Sequence, residues 1–577
     1  MKTKKNKIML SILSILICTV SMAYYWCMVD CPYRGDDWLN INSGVGTFYY
    51  TGESTLELTI RIAKSWINTG RFFPLSNYAY YLFNIFSTLH SYRIFLFCIT
   101  LIMVLLSARV IDRIVENSQM TAAFLSLMPI MFYLSEYYSC NPLLCYHGLM
   151  QMTVILFMIS MLFLLKWIDS KKISYAILAG IFYFMSLCTY EVSYVFIVFA
   201  VFAILYRELD VKSAIKKLSP ILISWVLGIG INIIIKIMSG GSGYAGVEIS
   251  FSISKIISTA LCMMAAAFPI YNAFATGFTF ELSDISKSDL ILSMLFALIF
   301  VLTFYIFKDR KTKKRERVII YCMGFSLWVL PALLIGMSAR YQNEIRWGTN
   351  WLPYFVEVIG TTIILVQLCR DFYGVIASST CWKWMKHVLS IVLFLIIGFV
   401  AMWNRTAGEQ SYSKLEMNAF YTIQNALELG IMDEVSDEDI VHAIPTVGSE
   451  NEPNIFYSKF AKKRCNADIL NNEEYDSMDY SSYNKEYTSK QIDFGDGSNI
   501  FVIGNTNTED LTVISQPKVY LSNYDGNESI VFGVKTNEVE ESVTISCSDI
   551  LKTSNENGAI VQLPYENVVL DSIHITK

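Results

Sequence analysis

"DLILSMLFALIFVLTFYIFKDRKTKKRER", residues 289–317, decides how the rest of the chain is read. Nearly twenty apolar residues run directly into ten that hold seven Lys and Arg. A membrane-spanning helix needs ~20 mostly apolar residues, and the basic side of such a helix faces the cytoplasm. The stretch therefore reads as a span running inward into a cytoplasmic loop at 308–317.

Working outward, the other apolar runs fall near 8–29, 92–111, 120–138, 143–166, 173–189, 192–206, 219–238, 318–337, 351–369 and 384–403. With 289–307 they predict about eleven transmembrane helices. The first follows Lys2, Lys4, Lys5 and Lys7 and continues through "AYYWCMV" with no A-x-A-like cleavage site. It reads as a retained span with a cytoplasmic N-terminus. A twelfth run, 254–275, carries "AAAFPIYNAF". For 289–307 to run inward, 254–275 must make no net crossing, so it reads as re-entrant or interfacial. The loops "ARVIDRI", "KWIDSKK", "YRELDVKSAIKK" and "CRDFYG…WKWMK" then fall inside, all bearing basic residues. The first loop (30–91), "SEYYSCNP", "TYEVS", "SARYQNEIRWGTN" and everything after about 404 fall outside.

Composition agrees. The chain of 577 residues is 54% hydrophobic and 16% charged, with a mean hydropathy of +0.42. Residues 1–400 hold 33 Lys+Arg against 21 Asp+Glu, whereas 401–577 hold 12 against 29. A basic membrane part precedes an acidic, soluble-looking part, and neither implies a nucleic-acid surface. The domains expected are a membrane domain at 1–403, a helical and polar connecting region at 404–490, and a small β-sandwich-like outer domain at 491–577. The last shows short alternating runs such as "NIFVIGN", "KVYLSN" and "SIVFGVK", separated by turn residues. Inside the first outer loop, "STLELTIRIAKSWINTG" (54–70) spaces Leu56, Ile60, Ala63 and Ile67 along one helix face, as a helix lying on the membrane surface would. The thirteen cysteines show no metal or disulfide spacing; Cys465 and Cys547 fall in the acidic part and could pair.

The residues that could carry chemistry lie on the outer side. Asp36 and Asp37 in "RGDDWLN" sit where the chain leaves the first span, beside Trp38. One reading is hydration or an ion pair with Arg34. The other is a general base, with the second carboxylate orienting the first or holding a cation. Arg71, Arg340 and Arg346 are outer-side arginines that the charge rule does not explain, and Arg binds phosphate bidentately. Glu191 in "TYEVS" suits sugar hydroxyls or an arginine, or is a solvated turn residue. His147 in "LLCYHGLM" suits a structural role better than a ligand's. "SGGSGYAG" (239–246) lacks the lysine of a phosphate-binding loop.

Together these features resemble the GT-C superfamily of integral-membrane glycosyltransferases. "GDDW", then "W-x3-GR" (Trp66, Gly70, Arg71), "TYE" (189–191) and "RYQ" (340–342) are similar to bacterial O-antigen glucosyltransferases of the serotype-conversion type. The resemblance covers about 1–403 and implies a GT-C-like all-α polytopic fold, here with a C-terminal extracytoplasmic mainly-β domain. It implies an inverting enzyme of the plasma membrane that moves a sugar from a polyprenyl-phosphate donor to a cell-surface glycan or glycolipid. Asp36 is then the base, Asp37 its support, and Arg340 the phosphate holder. Arg71, Glu191, Tyr341, Arg346, Trp38 and His147 are substrate-binding candidates. Some members hold a divalent cation and others do not, and the residues leave both open. The competing readings are a non-enzymatic lipid-linked-glycan flippase or transporter and a polymerase or ligase of another membrane fold.

Overall fold

The structure is a computed structural model. It describes residues 4–134, 141–208, 210–239, 246, 248–269, 271, 281–310, 312–347, 349–378, 384–411, 414–444, 452–469, 479–493, 499–506, 510–522, 524, 529–536, 539–546 and 554–576. The chain divides into two compact units. One comprises Met1–Gly35, Arg61–Tyr78 and Thr88–Tyr412; the other comprises Asp36–Ile60, Ala79–Ser87 and Ser413–Lys577.

The first unit is helical. Among the described residues, seven helices are long and apolar enough to cross a membrane: Lys5–Met28, Leu89–Val115, Tyr146–Ser170, Val211–Met238, Lys287–Ile306, Lys314–Gly336 and Met385–Gln410. This corrects the count of about eleven, and the four remaining runs show why. Run 120–138 is broken: Ser118–Leu127 gives way at Pro129 to a single tight turn, Met128–Met131. Runs 173–189 and 192–206 form helices of 15 and 12 residues. At 1.5 Å per residue these reach roughly 18–23 Å, short of a hydrocarbon core of about 30 Å. Run 351–369 lies in a long helix, Tyr354–Ser378, that carries Glu357, Arg370 and Asp371. The helix Ile253–Ala266 has 14 residues, also short of a span, and most of 270–280 lies outside the described residues. Large apolar side chains face outward where lipid would lie, as at Ile223, Val226 and Ile237 of Val211–Met238. Two helices, Lys314–Gly336 and Tyr354–Ser378, approach closely at Gly324 and Gly360, where a Cβ on Gly360 would stand 2.5 Å from the Gly324 oxygen.

The loops of this unit gather into two groups of contacts. At one end Asp169 pairs with Arg113 at 2.9 Å and with Arg207 at 2.8 Å. Asp309 accepts from Arg370 at 2.6 Å and from Asn117 at 2.8 Å, and Arg317 reaches Asp371 at 3.7 Å. All the basic-bearing loops named above contribute to these pairs except "WKWMK", whose described part makes none of them. The other end gathers Arg71, Glu191, the segment around Ser338–Tyr341, and Trp351.

The second unit joins four helices to a mainly-β body. The helices are Asp37–Thr51, Ala79–Ile85, Lys414–Glu428 and Pro453–Ala461. The strands are β1 (Ile440–Ala443), β2 (Asn466–Asp468), β3 (Glu486–Asp493), β4 (Asn499–Thr506), β5 (Val513–Ser522), β6 (Ile530–Lys535), β7 (Glu540–Ile545), β8 (Ser554–Asn555), β9 (Gly558–Gln562), β10 (Val568–Val569) and β11 (His574–Thr576). One sheet runs β2-β1-β3-β4-β5-β9-β8 with β10 beside β5; the other runs β11-β6-β7. β1 pairs in parallel with β2 and β3, whereas β3-β4-β5-β9 is antiparallel. Ile500, Val502, Val519 and Leu521 of the large sheet meet Ile530, Phe532 and Val534 of the small one in a shared core. The alternate residue Phe501 turns the other way, toward Tyr457 of Pro453–Ala461. β4 is thus covered on both faces, so "NIFVIG", expected as an alternating run, is buried along its whole length. The boundary expected at 491 falls inside β3. Cys465 is buried as a free thiol, and Cys547 lies outside the described residues.

Candidate functional site

The motif "W-x3-GR" has a local cause. The helix Thr55–Asn68 ends with Gly70 in the left-handed region, φ +83°, a conformation that suits glycine. The turn brings the Arg71 N–H back to the Trp66 carbonyl at 2.9 Å. The Arg71 guanidinium then lies 5.0 Å from the Trp66 ring centre and 4.2 Å from that of Phe73. From there it meets Glu191 as a fork: Nε to Oε1 at 2.8 Å and a terminal nitrogen to Oε2 at 3.1 Å. Both side chains are largely covered, 11% and 24% exposed.

Glu191 opens a tight turn, Glu191–Val195, directly after Tyr190. The Tyr190 hydroxyl accepts from the Trp351 ring N–H at 3.3 Å, and Trp351 packs on buried Tyr341 with ring centres 4.8 Å apart. The Tyr341 segment is tied to residues 246–250: Ala339 N–H donates to the Glu248 carbonyl at 2.9 Å, and the Ser338 hydroxyl to that of Gly246, also at 2.9 Å. These elements enclose a cavity of about 200 Å3. Its polar lining comes from Arg71, Glu191, Tyr190, Tyr194, Glu248 and Tyr341, and its apolar lining from Ile249, Leu334, Ile335, Met337 and Pro353. That volume lies below the roughly 300–1,000 Å3 typical of drug-sized ligands. It suits one ring or one headgroup, with the paired Arg71 and Glu191 offering hydrogen bonds and little net charge.

Three of the sequence candidates, Arg71, Glu191 and Tyr341, therefore line one cavity. Arg340 stands beside it, its guanidinium 5.7 Å from the Tyr341 ring centre and paired with Glu344 at 2.6 Å. Arg346 is exposed, and its backbone N–H donates to Thr349 at 2.7 Å; it is not in the lining. His147 is also absent from the lining. It sits in a left-handed turn, φ 42°, before the helix Leu149–Ser170, where its N–H donates to the Tyr92 hydroxyl at 3.0 Å and its carbonyl accepts from Tyr78 at 2.9 Å.

Asp36, Asp37 and Trp38 belong to the other unit. Asp36 is exposed immediately before the helix Asp37–Thr51, and Asp37 in its first turn is fully buried. Trp38 lies edge-on to Phe420 at 5.2 Å.

Sequence reasoning missed several residues. Tyr194 and Glu248 line the cavity, but nothing in their spacing sets them apart. Arg93 is wholly buried and donates to the carbonyls of Cys31, Pro32 and Leu144, pinning the chain just ahead of "RGDDW". Glu357 is fully buried with no partner for either carboxylate oxygen among the described residues. An acid inside an apolar run was the available signal for it. Among the described residues no group of three or more His, Cys, Asp or Glu gathers as a metal site would.

No protein-family model matches the chain, and no curated protein matches it. Among solved structures it is similar to the crystal structure of the Archaeoglobus fulgidus oligosaccharyltransferase in the apo form. That match has 10% identity and a TM-score of 0.43, covering 85% of this chain and 70% of the other. The same enzyme tethered by a disulfide to an acceptor peptide with the NVT sequon gives 10% identity and a TM-score of 0.40, covering 97% and 76%. At that distance the likeness bears on neither the reaction nor its substrates.

Proposed function

We propose that this protein is a membrane glycosyltransferase that moves a sugar from a polyprenyl-phosphate donor to a cell-surface glycan or glycolipid at the outer face. The observation that carries the reading is the cavity built from "W-x3-GR", "TYE" and "RYQ". Three motifs separated by some 120 and 150 residues supply Arg71, Glu191 and Tyr341 to one pocket. It adjoins the ends of apolar helices, where a lipid-borne headgroup would arrive. The basic residues at the opposite end support a cytoplasmic position for that end and an outer position for the cavity.

In this reaction an acceptor hydroxyl attacks the anomeric carbon and gives its proton to Asp36, whose exposure leaves it open to a water-borne acceptor. The bond from that carbon to the phosphate oxygen breaks, and direct displacement inverts the centre. Arg340 offsets the charge on the departing polyprenyl phosphate. Its present partner Glu344 is 46% exposed, and a surface pair of this kind is worth at most about 1 kcal/mol, so a phosphate displaces it at small cost. Buried Asp37 supports Asp36. These groups accelerate the reaction only where they act more strongly on the transition state than on bound substrate.

Asp36→Asn is expected to lower transfer from a polyprenyl-phosphate sugar in liposomes by ~10²–10⁴-fold while the protein still inserts. Near-normal turnover by that variant would overturn the assignment of the base.

A further inference from the structure

The helix that presents Asp36 and Asp37 is held from two sides. A Cβ on Gly44 would stand 2.8 Å from the Asn84 side chain and 3.1 Å from the Tyr80 carbonyl, so the helix Ala79–Ile85 closes on one face. A Cβ on Gly46 would overlap the carbonyl of Ile455, so the helix Pro453–Ala461 closes on another. Glycine inside a helix costs about 0.5–1 kcal/mol relative to alanine, and close approach is its return here. Phe420, already edge-on to Trp38, also packs against Phe456 at 6.0 Å and Phe460 at 5.9 Å.

Lys459 sits in this joint, and Arg464 lies 5.5 Å from the ring centre of Tyr50, farther along the helix Asp37–Thr51. The Lys459 ammonium donates to the Ile41 carbonyl at 2.7 Å and reaches the Asn42 side-chain oxygen at 3.5 Å. It lies 4.8 Å from the Phe460 ring centre. Ile41 is one helical turn beyond Asp37. For an ammonium beside an apolar ring and held by neutral oxygens, lost hydration outweighs the opposing charge of Glu428.

We propose that Lys459 is a positioning residue: through Ile41 and Asn42 it fixes the helix whose first turn presents the two acids, and its protonation state sets how firmly that helix is held. The proposal rests on the reading of Asp36 and Asp37 as the acids of a transfer reaction. The part of the chain read from sequence as a connecting region is thereby a support of the acidic motif.

The direction of the effect follows from proton counting. Burial pushes the docked Lys459 ammonium down from 10.5 to about 7. The undocked helix pair therefore holds more protons between those limits, and docking tightens as pH rises from about 7 toward 10.5. Below about 7 both forms are protonated and docking is at its weakest. The facing titratable groups are few. Glu428 on the helix Lys414–Glu428 opposes the shift, Asp37 lies one turn away on the docked helix, and Ala79–Ile85 offers no charged residue.

The test uses the full chain in nanodiscs, with Lys459→Met fixed neutral and Lys459→Arg fixed charged. The readouts are kcat and KM for a polyprenyl-phosphate sugar between pH 6 and 9, and hydrogen-exchange protection of residues 37–51 corrected for the intrinsic rate at each pH. Lys459→Arg is expected to match the unsubstituted protein near pH 6 and to fall tenfold or more below it in kcat by pH 9, with KM within twofold. Lys459→Met, which also removes the bonds to Ile41 and Asn42, is expected to lack the limb near pH 7, whereas kcat of the unsubstituted protein rises through it. Protection of 37–51 follows the same course. Should Lys459→Arg fail to fold, Gly46→Ala spreads the two helices and rehydrates the ammonium; it is expected to lower kcat and to move the limb to higher pH. Identical pH profiles for all variants, or protection indifferent to pH and substitution, would overturn the proposal. Asp36→Asn separates the two claims. If it retains turnover the base assignment fails, while the protection of 37–51, which needs no turnover, still judges Lys459.

Discussion

Removing both partners of the Arg71–Glu191 fork should destabilise the first unit far less than the sum of the two single removals. The pair makes two charge-assisted hydrogen bonds, 2.8 and 3.1 Å, with side chains 11% and 24% exposed. Stripping one partner from a fully buried pair costs about 3–5 kcal/mol. Partial exposure on the Glu191 side lowers this, and the rings of Trp66 and Phe73 add about 0.5–1 kcal/mol for Arg71 alone. We therefore expect about 2–4 kcal/mol for Arg71→Ala, slightly less for Glu191→Ala, and a coupling energy of about 1.5–3 kcal/mol in the double-mutant cycle. Reversible unfolding in mixed micelles measures all three. Additive losses, with coupling below about 0.5 kcal/mol, would refute the claim that this fork organises the cavity.

Gly360→Ala places a Cβ 2.5 Å from the Gly324 oxygen and 2.6 Å from the Trp328 nitrogen, backbone atoms that cannot turn aside. Overpacking of this kind costs about 1–3 kcal/mol or more, so a lower midpoint in the same unfolding assay is expected. Arg405→Met leaves Asp289 wholly buried without the guanidinium now 2.6 Å away, and also removes bonds to the Ala23 and Tyr24 carbonyls. A loss of about 3–5 kcal/mol is expected, recovered in large part by adding Asp289→Leu, with both read by thermal unfolding in detergent.

What was legible in the sequence was what depends on local pattern. Each of the seven spans coincides with an apolar run, and β4, β5 and β6 fall on the short runs quoted for them. The errors arose where a run's composition hid its geometry. Residues 120–138 are apolar enough to span, but Pro129 cannot donate in a helix and the chain turns there. Residues 192–206 are equally apolar, yet the turn opened by Glu191 takes up their first residues. Lys459 was illegible for a different reason. In "NIFYSKFAKK" it is one lysine of three, and only the partner helix shows that it is the one whose ammonium is covered.

The same contrast explains how so short a signature as "W-x3-GR" specifies a site. Trp66 and Arg71 are five residues apart, too far to share one helical turn as neighbours, and would point apart if the helix continued. Gly70 ends the helix at the one position where a left-handed residue folds the next N–H back to the Trp66 carbonyl. The indole then becomes the surface on which the guanidinium lies, and the guanidinium is aimed before Glu191 reaches it. Any residue with a Cβ at position 70 would pay for that conformation, and a lysine at 71 would reach the carboxylate with one contact in place of a fork. The motif is therefore a means of holding one planar cation in a fixed orientation, and that requirement, rather than its length, is what makes it specific.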